Sequence, residues 1–279
     1  MPLPEGFQFS QSSLQDFETC PRRFELRYVQ RLNWPAVESE PVQEAERLAQ
    51  LGADFHRLVQ QHLIGLAEDL LTGALTEAEP DLKTWWQNYL LFRPAALAEA
   101  QTYAELTLST PLRGYRLLAR FDLLAVNADG TFLIIDWKTA QRRPGRESLA
   151  QRIQSRVYPY VLVKAGTAFN GGQSIDPASV TMMYWYPQAP DQPEVFEYNL
   201  PLFRRDEEFL SDLIERIKAA AQTGRFPLVE ARQPCRYCVY RSFCERGDQA
   251  GPLPELADEP RETLDVSALD WDQIAEIQF

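Results

Sequence analysis

The sequence predicts a mixed α/β or α+β fold, a hairpin-rich sheet with helices ahead of it, within it and after it. Three observations lead there. Residues 41–71 carry one long helical stripe; residues 103–139 alternate in strand fashion around a turn cluster; and a helical stretch then separates these strands from two more, 180–185 and 195–198. At 279 residues and 45% hydrophobic content the chain can bury one large core.

Each element has its own signal. Residues 10–31 read as a short helix entered through Ser10, Ser12 or Ser13 as N-cap, with Leu14, Phe17, Phe24 and Tyr28 apolar and Pro21 marking a restart. Leu48, Leu51, Phe55, Leu58, Val59, Leu63, Leu66 and Leu70 fall on one helical face, and a further helix spans Leu82 to Phe92. After Pro94 the period changes to strands at 103–108, 116–126 and 131–139. Asn127, Ala128, Asp129 and Gly130 form the turn, with Gly130 suited to its left-handed position. A helix over 147–164 follows, with Pro159 expected to kink it, and after the last two strands a helix covers 203–222.

Composition bounds the function. No apolar run approaches the roughly 20 residues of a membrane span, and the opening MPLPEGFQFS lacks the basic and apolar regions of a secretory signal, so a reducing, cytoplasmic setting and no membrane partner are expected. The net charge of −12 argues at first against a phosphate-rich partner, but −8 of it lies between Asp248 and Phe279. Elsewhere arginines gather in three groups, Arg22, Arg23, Arg27 and Arg31, then Arg142, Arg143, Arg146, Arg152 and Arg156, then Arg232, Arg236 and Arg241. Any one group reads equally as a solvated helix face; three together read as phosphate-facing surface.

Asp122 and Asp136 each lie seven residues from Asp129, so a hairpin centred there sets them directly opposite, Cβ atoms roughly 5 Å apart. Lys138, two residues beyond Asp136, projects to the same side. A cross-strand salt bridge would explain one acid and the lysine. The second acid leaves a negative charge beside the apolar run Phe132 to Ile135, which a divalent cation would neutralise. Hard oxygen ligands suit Mg²⁺, and an added imidazole is compatible with Mn²⁺. Glu105 on the preceding strand could reach this site, but the alternation of its strand favours a solvent-facing side chain.

The strings Ala119-Arg-Phe-Asp122 and Ile134-Ile-Asp136-Trp-Lys138-Thr139 resemble the two acidic motifs of the PD-(D/E)xK nuclease superfamily in its RecB-like branch. Gly52-Ala-Asp-Phe-His56 is similar to the branch's Gly-x-x-x-His element, Gln154-Ser-Arg-Val-Tyr158 to its Gln-x-x-x-Tyr, and Ser12-Ser-Leu14 with Phe17, Cys20, Pro21 and Phe24 to its opening helix, so the likeness spans residues 8–246. On residue type alone His56 also reads as a core histidine, and Gln154 with Tyr158 as a surface pair. The resemblance implies a restriction-endonuclease-like core: a mixed central sheet flanked by helices, with N-terminal helical additions and a C-terminal cysteine-rich segment. It implies a Mg²⁺- or Mn²⁺-dependent nuclease acting on DNA, in repair, recombination or related processing, as an exonuclease. His56, Asp122, Asp136 and the carbonyl of Trp137 would hold the ion; Lys138 would orient water or stabilise the transition state; Gln154 and Tyr158, with Arg142, Arg143 and Arg156, would position the strand.

Four cysteines in such a chain are metal ligands rather than disulfides. Cys235, Cys238 and Cys244 follow C-x2-C-x5-C, with Cys20 far upstream. Four thiolates suit zinc or an iron–sulfur cluster. The one-plus-three arrangement resembles the subgroup of RecB and AddB nuclease domains and CRISPR-associated exonucleases that carries [4Fe-4S], which implies a structural cluster joining the chain's two ends, shielded by Tyr237, Tyr240 and Phe243.

The expected organisation is one nuclease domain over residues 1–247, containing a helical insertion over about 35–100 and the cluster segment 235–244 with Cys20, then an acidic tail, 248–279. Its last residues, 264–279, alternate acids with apolar side chains, as a peptide docking on a repair, replication or helicase partner would, or as an element packing back on the domain. Two rival readings stand: a non-catalytic DNA-binding or scaffold module that keeps this fold, and a structural zinc protein. A helicase motor is not supported by the sequence, which contains no Gly-x-x-x-x-Gly-Lys-Ser/Thr loop.

Overall fold

The structure is a computed structural model and describes residues 2–32, 40–139 and 143–247, without the side chains of 40–46 and 236–237. The tail from 248, Arg142 and the side chains of Arg236 and Tyr237 therefore lie outside the described residues.

A short strand β1 (Gln8–Ser10) feeds α1 (Gln11–Thr19). Ser10 is the cap: its hydroxyl accepts from the Ser13 N–H while the Ser13 hydroxyl answers the Ser10 N–H, a reciprocal box that fixes the entry angle. Pro21 restarts the chain as α2 (Pro21–Phe24), whose missing N–H costs nothing at a first turn. The long stripe splits into α3 (Glu40–Leu63) and α4 (Glu68–Ala74), because Gly65 adopts φ +99° and turns the chain. Leu70 ends up exposed as a result. Next come α5 (Pro80–Phe92), β2 (Gln101–Leu112), β3 (Tyr115–Val126) and β4 (Phe132–Trp137). The helical stretch after the hairpin breaks at extended Arg152 into α6 (Arg146–Gln151) and α7 (Ile153–Ala165), and Pro159 sits inside α7 without ending it. The chain finishes with β5 (Val180–Trp185), β6 (Glu194–Glu197) and α8 (Leu200–Thr223), capped by the Asn199 side chain and stopped by Gly224 at φ +64°.

One mixed six-stranded sheet holds these together in the order β1-β3-β4-β5-β6, with β2 along the other edge of β3. β1 pairs with residues 116–118 of β3 and β4 with residues 123–126, on the same edge. Between them the ladder of β3 lies open over 119–122, and Asp122 stands in that opening. The β3–β4 register matches Leu123 to Ile135 and Val126 to Phe132, with Gly130 left-handed at φ +81°, so one step further it sets Asp122 opposite Asp136 as the sequence predicts.

Two cores flank the sheet. One, under α7 and α8, takes Phe132 and Ile134 of β4; the other, under α3 and α5, takes Leu133, Ile135 and Trp137. All six residues of β4 are buried, which accounts for its continuous apolar run. Fully burying a large apolar side chain stabilises by about 1.5–3 kcal/mol, so β4 is a rigid place to mount Asp136.

Alternation fails in one place. In β3, Leu117, Ala119 and Phe121 belong to the α7 core, but so does Leu124, while Leu123 and Ala125 face α3. In β2, Tyr103 packs with the α7 core and so do Leu106 and Leu108. Both strands lose step at the same level, where Glu105 of β2 stands at φ +54°. A left-handed non-glycine residue costs on the order of 1–2 kcal/mol, and such strain concentrates at functional positions.

Candidate functional site

The site begins with that break. The β2–β3 register pairs Ala104 with Leu123 and Leu106 with Phe121, which leaves Glu105 facing Asp122 without a regular ladder bond. α3 approaches the same point from outside the sheet. Phe55 stacks on Trp185 (6.3 Å between rings, 6° between planes) and meets Trp85 and Tyr89 edge-on, which fixes the helix and turns the next residue, His56, toward the strand ends. Gly52, one turn earlier, allows the approach: a Cβ there would lie 2.6 Å from the Thr139 hydroxyl oxygen. The Gly-x-x-x-His spacing thus has a steric cause in this chain.

Ligand atoms of His56, Glu105 and Asp122 all lie within 4.8 Å of one another. His56 Nδ1 is 3.6 Å from Asp122 Oδ2, and the same oxygen accepts from the Trp137 N–H at 2.8 Å. Burial would raise the Asp122 carboxyl, but His56, Lys138 and the Trp137 N–H outweigh it and hold Asp122 below the ordinary carboxylate range. Burial likewise disfavours the charged imidazole of His56, yet Asp122, with Asp136 and Glu105 behind it, raises that imidazole above its usual value. The cluster is rich in negative charge, and its three ligand atoms are close enough together to hold a cation.

Beside it sits a second group. Lys138 Nζ lies 2.7 Å from Asp136 Oδ2 and donates to Gln154 Oε1 at 3.1 Å, while Gln154 Nε2 donates to the other oxygen of Asp136. Gln154, from α7, therefore reads both partners of the ion pair and fixes its own amide orientation. The Lys138 ammonium also lies over the Tyr184 ring at 5.6 Å, and the Tyr184 hydroxyl is 2.7 Å from that of Ser155. Burial first, and then the charge of Asp122, push the Asp136 carboxyl up against the pull of Lys138. Asp136 Oδ2 is buried and, despite the nearby ammonium, receives no hydrogen bond of good direction. A buried carboxylate oxygen with open lone pairs beside an Asp–Glu–His set fits a hard divalent ion keeping several of its own waters.

The predicted residues are thus only partly brought together. His56 and Asp122 converge; Asp136, Lys138 and Gln154 form the adjoining triad. Trp137 touches Asp122 through its N–H, with its ring buried against Tyr89 and Trp185. Tyr158 is buried, and its ring meets Phe121 edge-on at 5.2 Å. Glu105 corrects the expectation of a solvent-facing side chain: its left-handed backbone breaks the alternation on which that expectation rests, and no glycine marks the place.

Six of the grouped arginines have acidic partners within the chain. Arg23 and Arg27 pair with buried Asp16, Arg22 with Glu25, Arg143 and Arg146 with Glu194, and Arg156 with buried Asp206. Burying Asp16 and Asp206 requires counter-charges, so Arg23, Arg27 and Arg156 neutralise internal acids.

The four cysteines line one cavity together with Arg23, Leu26, Tyr240 and Arg241, although Cys20 comes from the α1–α2 junction and the rest from short 3₁₀ turns near the end of the described chain. All four are free thiols. Burial raises the Cys238 thiol to about 11 and that of Cys244 in the same direction. Phe243 is 47% exposed, so of the aromatics expected to shield this pocket Tyr240 lines it and Phe243 does not. The Tyr240 hydroxyl instead ties the segment to the Leu32 carbonyl at 3.1 Å.

The sequence matches one family model, described as the PD-(D/E)XK nuclease superfamily, over residues 8–245. No curated protein matches it. Among solved structures, a candidate exonuclease from Eubacterium rectale superposes with a TM-score of 0.54 at 9% identity, over 90% of this chain and 93% of that one, a likeness of fold. A second protein, SSO0001, is 17% identical over 86% of each chain, with a TM-score of 0.39 too low to bear on either fold or activity. Among the described residues no helix is long and apolar enough to cross a membrane.

Proposed function

The chain belongs to the PD-(D/E)XK nuclease superfamily, with the restriction-endonuclease-like mixed sheet flanked by helices, and from that premise we propose that it is a divalent-metal-dependent DNA exonuclease of the RecB-like branch. The observation that carries the reading is the adjacency of two groups, His56–Glu105–Asp122 and Asp136–Lys138–Gln154, at the opening of the β3 ladder.

His56, Glu105, Asp122 and Asp136 would hold Mg²⁺ or Mn²⁺, with the Trp137 carbonyl completing the set; the bound ion supplies Lewis acidity toward the phosphate and lowers the pKa of water. The chain's own residues do the rest. Lys138, held by Asp136, Gln154 and the Tyr184 ring, keeps its ammonium facing the reacting phosphate and stabilises charge that develops on it. Gln154 fixes the lysine and aspartate relative to each other, so neither collapses wholly onto its partner. The Trp137 N–H keeps one Asp122 oxygen in place. Tyr158 supports this floor through Phe121, and its hydroxyl would help position the strand.

The same reading takes residues 1–247 as one nuclease domain, in which Cys20, Cys235, Cys238 and Cys244 hold a structural [4Fe-4S] cluster. Supporting it, all four thiols line one cavity although Cys20 comes from the opposite end of the chain, and four thiolates suit such a cluster. Arg23 and Arg241 in the lining would offset thiolate charge.

The test is digestion of end-labelled single- and double-stranded DNA with Mg²⁺ and with Mn²⁺, using anaerobically purified protein and Asp136→Ala as control. Ion-dependent loss of the end label that Asp136→Ala abolishes is the expected result; wild-type protein that binds DNA and leaves it intact would favour a scaffold role instead. A brown protein with visible iron–sulfur absorbance that Cys235→Ser loses supports the cluster, and stoichiometric zinc without colour refutes it.

A further inference from the structure

Arg143 and Arg156, to which the sequence points as strand contacts, are engaged by Glu194 and Asp206, so a guanidinium that faces both solvent and the ion-binding cluster is the better-placed phosphate contact. Arg120 answers that description. It lies two residues before Asp122 on β3, and its side chain is 47% exposed. Its Nε and Nη2 both reach one oxygen of Glu105, Oε2, at 2.9 and 2.7 Å. Glu105 is also a member of the set gathered within 4.8 Å of His56 and Asp122. One carboxylate thus joins the cation-binding cluster to a guanidinium whose outer edge faces solvent.

The geometry constrains a ligand. An ion held by these carboxylates also takes up substrate phosphate oxygens. A phosphate bound to an ion at Glu105 would then come within reach of Arg120, because the guanidinium is already in hydrogen-bond contact with that carboxylate. Guanidinium presents five N–H groups in a plane, and two of them on one oxygen leave the others for a second anion. The strained backbone of Glu105 supports this assignment. Thr107, directly across from Arg120 in the register, would have been the unstrained place for a simple cross-strand partner, but the acid sits two residues away at φ +54°, where it also meets His56 and Asp122.

We infer that Arg120 is a phosphate-binding residue of this site: it holds the backbone phosphate next to the ion-binding cluster, with Glu105 fixing the guanidinium in position. The inference rests on the nuclease reading, and its test is chosen to separate the two. DNA binding by the full chain is measured with Ca²⁺ in place of Mg²⁺, over a range of salt, for wild type, Arg120→Ala and Arg120→Lys; Mn²⁺ binding is measured on the same proteins without DNA. Arg120→Ala should weaken DNA binding about tenfold or more, as loss of a charged hydrogen bond does, and should flatten the salt dependence by about one phosphate contact. Its Mn²⁺ affinity should stay at or above that of wild type, because Glu105 loses a competing cation. Arg120→Lys should recover part of the DNA affinity and all of the salt slope. Unchanged DNA affinity and slope in Arg120→Ala would overturn the inference, as would a DNA defect accompanied by an equal loss of Mn²⁺ binding, since Arg120 would then merely shape the ion site. A wild-type protein that binds DNA through Arg120 without cutting it would sink the nuclease reading alone.

Discussion

Adding a single methyl group at Gly52 should damage the site from a distance. A Cβ at this position would sit 2.6 Å from the Thr139 hydroxyl oxygen, with the Thr139 Cβ next at 3.6 Å. The first distance is about 0.8 Å short of an ordinary contact and the second is ordinary, so the clash rests on one atom. Either Thr139 leaves its rotamer, at about 0.5–1.5 kcal/mol, or α3 moves away, with the cost of about 1–3 kcal/mol usual for overpacking. Against this, alanine gains about 1 kcal/mol over glycine inside a helix. Gly52→Ala alone should therefore be near neutral to about 2 kcal/mol destabilising. Combined with Thr139→Ala, which removes the offending oxygen, it should be more stable than Thr139→Ala alone by about 1 kcal/mol. The signature is a coupling energy of about 1–3 kcal/mol in the double-mutant cycle, read by denaturant unfolding. If α3 is what moves, His56 moves with it, and Mn²⁺ affinity should fall in the single mutant and return in the double. Additive effects in the cycle, or an ion affinity that never changes, would show that Gly52 does not set the helix-to-strand distance.

Other perturbations test other links. Lys138→Ala should abolish DNA cleavage while ion and DNA binding persist, measured by turnover beside equilibrium binding; an undiminished rate removes Lys138 from the chemistry. Glu105→Gly should relieve the left-handed strain, on the order of 1 kcal/mol, and lose the exposed Arg120 pair, worth less than about 1 kcal/mol. Melting temperature should hold or rise while Mn²⁺ affinity drops at least about tenfold, and Glu105→Gln should lose the affinity without the gain in stability. Although burial pushes Glu194 the other way, its pairs with Arg146 and Arg143 hold its carboxyl below the ordinary value of 4.5. A lowered folded pKa means the carboxylate stabilises above the unfolded value and the benefit disappears as pH falls through the folded one. The melting gap between wild type and Glu194→Gln should be widest near neutral pH and close in acid; a gap unchanged by pH would assign the effect to packing.

Local signals carried much of the fold. The β3–β4 turn is written in Asn127 to Gly130, and because a hairpin's register follows from its centre, the opposition of Asp122 and Asp136 could be counted out along the chain. The two-residue step from Asp136 to Lys138 is local for the same reason, as are the Ser10 cap and the Pro21 restart. The short β1 and the split of the long helical stripe were less legible. A three-residue strand has too few positions to show a period, and Gly65 interrupts an apolar stripe that itself runs on to Leu70.

What the chain alone determined, then, is chemistry carried by neighbours in sequence: a carboxylate pair, a lysine one pleat away, and cysteines in a metal-ligand spacing. Only the tertiary structure decided which charges are spent and which are available. Arg143 finds Glu194 and Arg156 finds Asp206 about 50 residues away, and no local rule reveals such a partner, because a side chain's charge says nothing of what folding brings against it. Glu105 is the converse case. Its place beside His56 and Asp122 depends on a backbone torsion that an isolated strand would avoid and that packing on both faces of the sheet imposes.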